Sequence, residues 1–319
     1  MVNEKESLKF RILNVLRESS GVVSGVELAD GTGKSRVAVW KSIQALQEAG
    51  YGISVSRKGY KLESDLADSI YPWEFGKDEA MFTHFATTVS TMAEAHRIAE
   101  SGKAGSGETH IITADIQTHG MGQSGKSWTT TQGSLAFTII TRNNLRLAEH
   151  SRMTMAAQVA LTKVLRHITG RKFYIRWPND IWSEDGKVVG ILEELSAIGN
   201  TTSWINLGIG INITRRPRLP GTDSIFHREA PITRKEILTQ FWDEFKVQEK
   251  LAAQQSPWLA DEWNRLCLDT GCRIRLIGTG REAVFRGIDS LGCAKLYFPD
   301  SRERKYIIPG TESFIKKTN

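Results

Sequence analysis

SRVAVWKSIQALQEAGYGISVSRKGYKL, at residues 35–62, is the stretch that decides how the N-terminal part of the chain folds. Ser35 is a favourable helix N-cap, and Gly50 is the residue type that most often follows a helix C-terminus. Between them, Val39 and Ile43 lie at helical spacing on one face. Two short β-prone pieces follow, and the letters RKG between them are typical of a hairpin turn. The stretch therefore predicts a helix followed by a β-hairpin.

Two further short helices are predicted ahead of this stretch. Residues 7–18 carry apolar side chains at helical spacing, and residues 24–30 begin at a polar cap, Ser24. The glycine-containing turn GTGK separates the second helix from the third. Three short helices and a hairpin within about sixty residues are typical of a winged helix-turn-helix. We assign this domain to residues 1–63.

The rest of the chain predicts two more domains after a linker that starts near residue 64. The β-prone runs HIITAD, SLAFTIIT and SWINLGIGINI alternate with helix-like stretches at residues 92–100 and 153–168, which indicates an α/β domain. We assign it to residues 64–271. Residues 272–319 contain short β-prone pieces separated by turn signals, which is typical of a small β-barrel. The expected fold class is therefore α+β with several domains.

Composition narrows the function classes. The chain has 42 Lys and Arg residues against 36 Asp and Glu, and a net charge of +6, which permits nucleic-acid binding without proving it. No apolar run approaches ~18 residues and the N-terminus lacks a signal-peptide segment, so we expect no membrane span and a cytoplasmic protein. The three cysteines, Cys267, Cys272 and Cys293, lack Cys-x-x-Cys spacing, which argues against a disulfide framework and a zinc site. We therefore assign no metal-binding residues.

The third helix and the hairpin carry the candidate DNA contacts. A recognition helix presents its N-terminal polar residues to base edges, which favours Arg36 and Lys41. Arg57 and Lys58 at the hairpin tip are placed to hold phosphate. The alternative is a helical domain with a solvated charged face. The predicted DNA-binding residues are Ser35, Arg36, Lys41, Gln44, Arg57 and Lys58.

Nearly the whole chain resembles one family, the bifunctional biotin operon repressors that are also biotin protein ligases. The resemblance starts in residues 35–62 and continues through VSTM, ADIQTHGMGQSGKSW, RWPNDIW, GKVVGILEEL and LGIGINI. It ends in CRIRLIGTGREAVFRGIDSLGCAKL, which is similar to that family's C-terminal SH3-like barrel. The resemblance implies a central ligase domain of the class II synthetase-like type.

The resemblance also implies a two-step reaction. In that family the biotin carboxylate attacks the α-phosphate of ATP and releases pyrophosphate, with Mg²⁺ assisting. The ε-amine of a lysine on a biotin carboxyl-carrier protein then takes the acyl group from the biotinyl-adenylate and releases AMP. In the repressor members the adenylate promotes a homodimer that binds a double-stranded DNA operator. The implied catalytic residues are Arg176 and Lys187. The implied residues for biotin or its adenylate are Ser90, Thr91, Gln117, Gly120, Met121, Gly122, Gln123, Trp128, Asn179, Gly190, Gly208, Gly210 and Asn212.

Several of these residues have a plainer interpretation. Ser90 and Thr91 can cap the helix that begins near Met92, and this role is compatible with ligand binding. The glycine-rich loop can be an ordinary turn. Trp128 can be a core residue rather than a wall of the ligand pocket.

The sequence departs from the family's pattern where the chemistry lies. The usual Asp-Ser-Thr-Asn ends here in Met92, two loop cations are replaced by Met121 and Gln123, and Arg176 replaces a lysine. At an assumed dielectric constant of ~20, one charge at ~4 Å is worth about 4 kcal/mol before solvation costs. We therefore expect a ligand-responsive transcriptional regulator with a weakened ligase site. An active bifunctional ligase is the alternative, and a ligase that uses the winged helix only for packing is a third.

Overall fold

The structure is a computed structural model that describes residues 6–101, 109–130, 133–214 and 220–316. The chain divides into two compact units. The first comprises Met1–His84 and Thr233–Glu236, and the second comprises Phe85–Ile232 and Ile237–Asn319. The bounds of the three domains expected from the sequence stay predictions.

The first unit contains the expected three helices and hairpin. The helices are α1 (Leu8–Glu18), α2 (Gly25–Thr32) and α3 (Arg36–Glu48), and the hairpin strands are β1 (Gly52–Ser56) and β2 (Gly59–Ser64). The side chains of Ser7, Ser24 and Ser35 each accept a hydrogen bond from a backbone N–H in the first turn. The caps expected at Ser24 and Ser35 are thereby confirmed.

The hairpin tip is tied to the loop before α2. Val23 and Tyr60 exchange backbone hydrogen bonds of 2.8 and 2.9 Å. A Cβ at Gly59 would lie 2.1 Å from the carbonyl oxygen of Val23, so only glycine permits this close approach. The bond pair fixes the end of the hairpin next to its turn. We call the hairpin, residues 52–64, the wing.

The chain after the wing packs into the same unit through a 3-10 segment, Pro72–Met81. The Glu74 carboxylate is almost fully buried and accepts hydrogen bonds from Arg17 at 2.8 Å, from Lys235 at 2.9 Å and from the hydroxyl of Tyr51. Two cations and a phenol therefore satisfy one buried carboxylate. Such groups are required because an unpaired buried charge is costly.

A seven-stranded sheet forms the centre of the second unit, in the order β3-β4-β7-β11-β10-β9-β8. Its strands are β3 (Phe82–Thr88), β4 (His110–Gln117), β7 (Ser134–Thr141), β8 (Tyr174–Arg176), β9 (Asp180–Trp182), β10 (Lys187–Ile198) and β11 (Thr201–Asn212). A two-stranded ribbon, β5 (Gly120–Met121) and β6 (Ser127–Trp128), lies between β4 and β7 in the chain. The three predicted β-prone runs are all strands.

Helices accompany the sheet of the second unit. They are α4 (Thr91–Glu100), α5 (Ser151–Thr169), α6 (Arg234–Ala253) and α7 (Pro257–Leu266). Alternating strands and helices usually indicate a parallel sheet, but the pairings from β4 through β8 are antiparallel. The domain is therefore of the α+β kind, because its helices do not serve as parallel crossovers at these pairings.

The C-terminal strands form a five-stranded antiparallel sheet in the order β15-β14-β13-β12-β16. They are β12 (Arg273–Leu276), β13 (Glu282–Ile288), β14 (Ala294–Phe298), β15 (Glu303–Ile307) and β16 (Phe314–Lys316). Short antiparallel strands in this number fit the expected SH3-like domain. Across the described residues, no helix has the length and apolar character needed to cross a membrane.

Candidate functional site

Glycines form the floor of a cleft on one face of the seven-stranded sheet. Gly208 lies opposite Thr138 and Leu192, and Gly210 lies opposite Ala136 and Gly190. Residues two apart in a strand face the same side, so these two rows share one face, roughly 7 Å apart along the strands.

Three side chains lie against this floor. A Cβ at Gly208 would be 2.8 Å from Cε of Met92, and a Cβ at Gly210 would be 2.2 Å from the indole of Trp128. A Cβ at Gly190 would be 3.1 Å from Nζ of Lys187. The glycines thus leave room for larger side chains to cover the backbone.

A polar network lies at the Thr138 end of the floor. The Thr138 hydroxyl donates to Thr91 Oγ1 at 2.8 Å. Gln117 Oε1 accepts from the Thr91 N–H at 2.8 Å and from its hydroxyl at 3.1 Å, and Gln117 Nε2 donates to Thr130 at 3.0 Å. Ser90 caps α4 by accepting from the Met92 N–H at 3.2 Å, as expected. This end offers neutral donors and acceptors.

The opposite end of the floor carries charge. Lys187 Nζ lies 2.6 Å from Asp180 Oδ1. Asn179 Nδ2 donates to the carbonyl oxygen of Ile191 at 2.5 Å, which fixes the start of β9 against β10. Lysine Nζ is a compact donor suited to carboxylate or phosphate oxygens.

The glycine-rich loop closes on itself beside the floor. Gly120 pairs with Trp128, and the N–H of Gly122 donates to the carbonyl oxygen of Lys126 at 2.7 Å. A Cβ at Gly120 would lie 2.4 Å from the Trp128 carbonyl oxygen, so this glycine is needed for strand approach. Met121 is 48% exposed. The loop therefore presents an apolar tip where the resemblance implies a cation.

These elements enclose a cleft of about 330 Å³. It brings together most of the residues implied by the resemblance. The predicted residues that line it are Ser90, Thr91, Gln117, Met121, Gly122, Gln123, Trp128, Asn179, Lys187, Gly190, Gly208 and Gly210. Their roles toward a ligand stay predictions.

Three predicted residues do not line the cleft. Gly120 serves the loop pairing instead. Arg176 donates to buried Asp269 at 3.0 Å, and its guanidinium lies 4.3 Å from the ring centre of Trp182. The long arginine side chain reaches this partner, so its charge is engaged away from the expected reacting groups.

Asn212 is the third of these residues. It lies two positions beyond Gly210, on the same face of β11. The side chain is buried, and its Oδ1 has no hydrogen-bond partner within the described ranges. The indole nitrogen of Trp128 is also buried, and it has no hydrogen-bond partner among the described residues. Both groups retain unused hydrogen-bonding capacity.

Several residues that line the cleft were not predicted from the sequence, including Thr138, Thr222 and Ser313. Thr138 had a signal, because it is a polar residue inside the apolar strand run SLAFTIIT. Thr222 and Ser313 lie in segments without a recognisable motif. Lys126 also lines the cleft and brings a second lysine side chain to it beside Lys187.

A smaller cavity of about 140 Å³ adjoins the cleft and shares Gln123 and Asn179 with it. Glu193 lies in its wall and hydrogen-bonds to His150 and Thr154. The hydrogen bond to Glu193 raises the pKa of His150 above its ordinary value despite burial. The His150–Glu193 pair therefore favours the protonated imidazole.

One group with metal-ligand chemistry occurs among the described residues: Asp185, Asp223 and His227. Asp223 already accepts hydrogen bonds from Ser183 at 2.6 Å and from Arg171 at 3.1 Å. These contacts give the carboxylate a structural role. The expectation of no metal ligands stays a prediction.

A second candidate site lies in the first unit, between α3 and the wing. Arg36, Arg57 and Lys58 are exposed and line one concavity of about 590 Å³. Lys41 and Gln44 are exposed farther along α3 and do not line it. Ser35 is exposed, but its hydroxyl oxygen caps α3 at 3.2 Å from the Ala38 nitrogen. Three of the predicted DNA contacts, Arg36, Arg57 and Lys58, thus share one surface of α3 and the wing.

Comparison with known families assigns both sites to domains. Residues 91–212 match the biotin/lipoate A/B protein ligase family, and residues 9–61 match a helix-turn-helix domain. The two matches occupy separate segments of the chain, the helix-turn-helix match in the N-terminal part and the ligase-family match in the central part. The cleft lies mostly within the ligase match, and α3 lies within the helix-turn-helix match.

Two relatives are named as bifunctional ligase/repressor proteins. The bifunctional ligase/repressor BirA of Bacillus subtilis is 34% identical over 61% of this chain and 61% of its own length. This chain thus matches about three fifths of that relative. The bifunctional ligase/repressor BirA of Escherichia coli is 28% identical over 86% of this chain and 87% of its own length.

A solved structure shares the fold of the ligase part. The biotin protein ligase from Aquifex aeolicus, in complex with biotin and ATP, superposes with a TM-score of 0.62 at 23% identity. The match covers 74% of this chain and 99% of that chain. This similarity supports the fold assignment of the ligase domain.

Proposed function

We propose that the protein is a transcriptional repressor whose DNA binding is controlled by a ligand in the ligase-like cleft. The ligand is biotin, biotinyl-adenylate or a related carboxylic acid. The observation that carries the proposal is that one chain has both an exposed cationic surface on α3 and the wing and a preformed cleft in a ligase-like domain. The names of the relatives support the same pairing of activities.

The cleft fits a ligand with one neutral polar end and one anionic end. Thr91, Gln117 and Thr138 supply the donors and acceptors that a ureido ring requires. Lys187 supplies a cation for a carboxylate or phosphate. Trp128 lines the cleft, and its indole nitrogen, which has no partner among the described residues, adds a donor for a polar ligand atom.

The composition of the glycine-rich loop favours a regulatory role over rapid catalysis. Adenylation brings a carboxylate to a polyphosphate, and fixed positive charge around the transferring group is the main way to stabilise that transition state. Met121 and Gln123 line the cleft without charge, and Arg176 is engaged with Asp269. Binding can therefore persist where turnover is weakened.

A second function, active biotin protein ligase, is favoured by one observation. Lys187 and Lys126 both line the cleft, so two cations remain available to a bound nucleotide. This activity requires ATP and Mg²⁺ as cofactors and a biotin carboxyl-carrier protein as acceptor.

One experiment separates the two functions. The purified protein is incubated with biotin, ATP, Mg²⁺ and a carrier domain, and acceptor biotinylation is followed over time. We expect slow or absent transfer, together with a ligand-dependent rise in melting temperature, because a ligand that binds the folded state stabilises it. Rapid transfer would establish the ligase and contradict the regulator-only proposal.

The repressor is proposed to act as a homodimer on a double-stranded operator. Winged-helix repressors read paired half-sites, and two copies of one α3 match a pseudo-palindromic duplex. Sedimentation of the protein with and without biotin and ATP tests this step. A monomer under all conditions, including with bound duplex, would contradict it.

A further inference from the structure

The surface between α3 and the wing is apolar as well as basic. Val37 is 62% exposed, Val55 is 60% exposed and Trp40 is 48% exposed. All three line the concavity that Arg36 and Arg57 also line. Clustered exposed apolar side chains rimmed by polar groups indicate a recognition surface.

Helical geometry places Val37 and Trp40 on the face of α3 that points away from the core, and Val55 is added by β1 of the wing. Val39, Ile43 and Leu46 are the buried residues of α3. Val37 and Trp40 are three residues apart and therefore neighbours on the helix surface. No packing role inside the domain accounts for Val37, because most of its surface is open to solvent.

Val37 is the second residue of α3, and the first turn of a recognition helix is the part that reaches base edges. An apolar side chain at such a position has one natural target in the major groove, the C5-methyl group of thymine. Flanking cations complement the phosphates on either side. Charge complementarity therefore selects duplex DNA over an apolar protein partner.

We propose that Val37 is a specificity-determining residue that reads a thymine methyl group in each half-site, with Trp40 beside it on α3. This inference rests on the proposed DNA-binding function and adds the base that is read. It also separates Val37 from the cations Arg57 and Lys58, which hold the backbone irrespective of sequence.

Thymine-to-uracil substitution tests the inference, because it removes one methyl group and leaves base pairing intact. Duplexes are first selected by the full-length protein, with and without biotin, ATP and Mg²⁺, from a pool with a random core of about two helical turns, roughly 20 base pairs. Each thymine of a selected duplex is then replaced by uracil. We expect one position per half-site at which affinity falls about fourfold, the factor for one buried methyl group at roughly 0.8 kcal/mol.

The variant Val37→Ala completes the test. We expect Val37→Ala to bind the thymine duplex about as weakly as the wild type binds the uracil duplex, and to lose nothing further on the uracil duplex. Val247→Ala, an equally open valine on α6, is the matched control and keeps the methyl effect. Melting temperatures of both variants verify that they fold.

Three outcomes would contradict the inference in distinguishable ways. If no duplex is enriched, the proposed DNA binding itself fails. If a duplex is enriched but no uracil substitution changes affinity, DNA binding stands and the role of Val37 is wrong. If Val37→Ala changes the sedimentation of the free protein while the methyl effect persists, the apolar surface is a protein interface.

Discussion

Lys187 Nζ forms an ion pair with Asp180, the last residue of the Trp-Pro-Asn-Asp motif, across a distance of 2.6 Å. The pair joins the first residue of β10 to the first residue of β9. The Asp180 carboxylate therefore orients the Lys187 ammonium group. A ligand anion that binds Lys187 shares this ammonium group with Asp180.

Removal of this cation should weaken binding of an adenylate. The variant Lys187→Met loses a charged hydrogen bond to the ligand worth about 2 kcal/mol. This loss corresponds to a dissociation constant roughly thirtyfold larger. Calorimetry with biotinyl-adenylate measures the change. Lys172→Met removes an exposed lysine that does not line the cleft and should leave the affinity unchanged. Equal affinities for both variants would exclude Lys187 from ligand binding.

Restoring charge to the loop should raise adenylation. We expect the double variant Met121→Arg and Gln123→Arg to release pyrophosphate from ATP and biotin at least about tenfold faster, since each 1.36 kcal/mol of transition-state stabilisation gives that factor. The uncharged variant Met121→Gln is the control. A rate that does not rise in the double variant would show that charge loss is not the limiting defect.

Arg176→Lys should not add to that gain. The arginine reaches Asp269, whose side chain is 2% exposed, and lysine lacks the planar guanidinium that stacks on Trp182. We therefore expect a lower melting temperature and no faster pyrophosphate release. Faster pyrophosphate release with an unchanged melting temperature would show that residue 176 acts on the reacting groups.

Glu74 should make the first unit sensitive to acid. Burial alone would raise its pKa, but hydrogen bonds from Arg17, Tyr51 and Lys235 outweigh burial and hold the pKa of Glu74 below its ordinary value. A lowered carboxyl pKa stabilises the folded state above the unfolded pKa near 4.5, and this contribution is lost as pH falls through the folded pKa.

The variant Glu74→Gln tests that contribution. We expect the free energy of unfolding at neutral pH to fall by about 3 kcal/mol, because two cations lose their buried partner. The stability difference from wild type should shrink as pH falls below 4.5. Denaturant unfolding across pH measures both effects, with exposed Glu48→Gln as control. A pH-independent difference would assign the loss to packing alone.

The wing cations should act on every duplex alike. We expect Arg57→Ala to weaken binding to selected and random duplexes by the same factor and to reduce the salt dependence by about one phosphate contact. Arg36→Ala should weaken only the selected duplex. Affinity measured over a range of salt concentrations distinguishes the two, and identical behaviour of both variants would undo the division between base and backbone contacts.

Local signals were sufficient for much of this structure. The Ser24 and Ser35 caps, the hairpin and the three apolar strand runs are short-range features, and the sequence predicted each of them. Helix α6 also had a signal that went unused: Thr233 and Glu236 form a capping box, with hydrogen bonds of 2.8 and 3.2 Å. The motif residues were predicted to meet, and most of them do.

Long-range pairings were not predictable. Arg176 and Asp269 are 93 residues apart, and Glu74 and Lys235 are 161 residues apart. Nothing in the local pattern at Arg176 favours a partner near the start of the C-terminal sheet over a ligand in the cleft. Such choices depend on the tertiary packing that brings a buried carboxylate within reach.

The glycine floor limits how new ligand preferences can arise in this fold. Gly208 and Gly210 have no side chains of their own, so Met92 and Trp128 lie directly on a backbone that the central strand holds in place. The position of the floor is therefore fixed, and it limits the thickness of a ligand that binds in the cleft. Ligand selectivity can then change mainly through the length and side chains of the loop that carries Met121. Proteins with this fold should therefore differ in that loop and share the glycine floor.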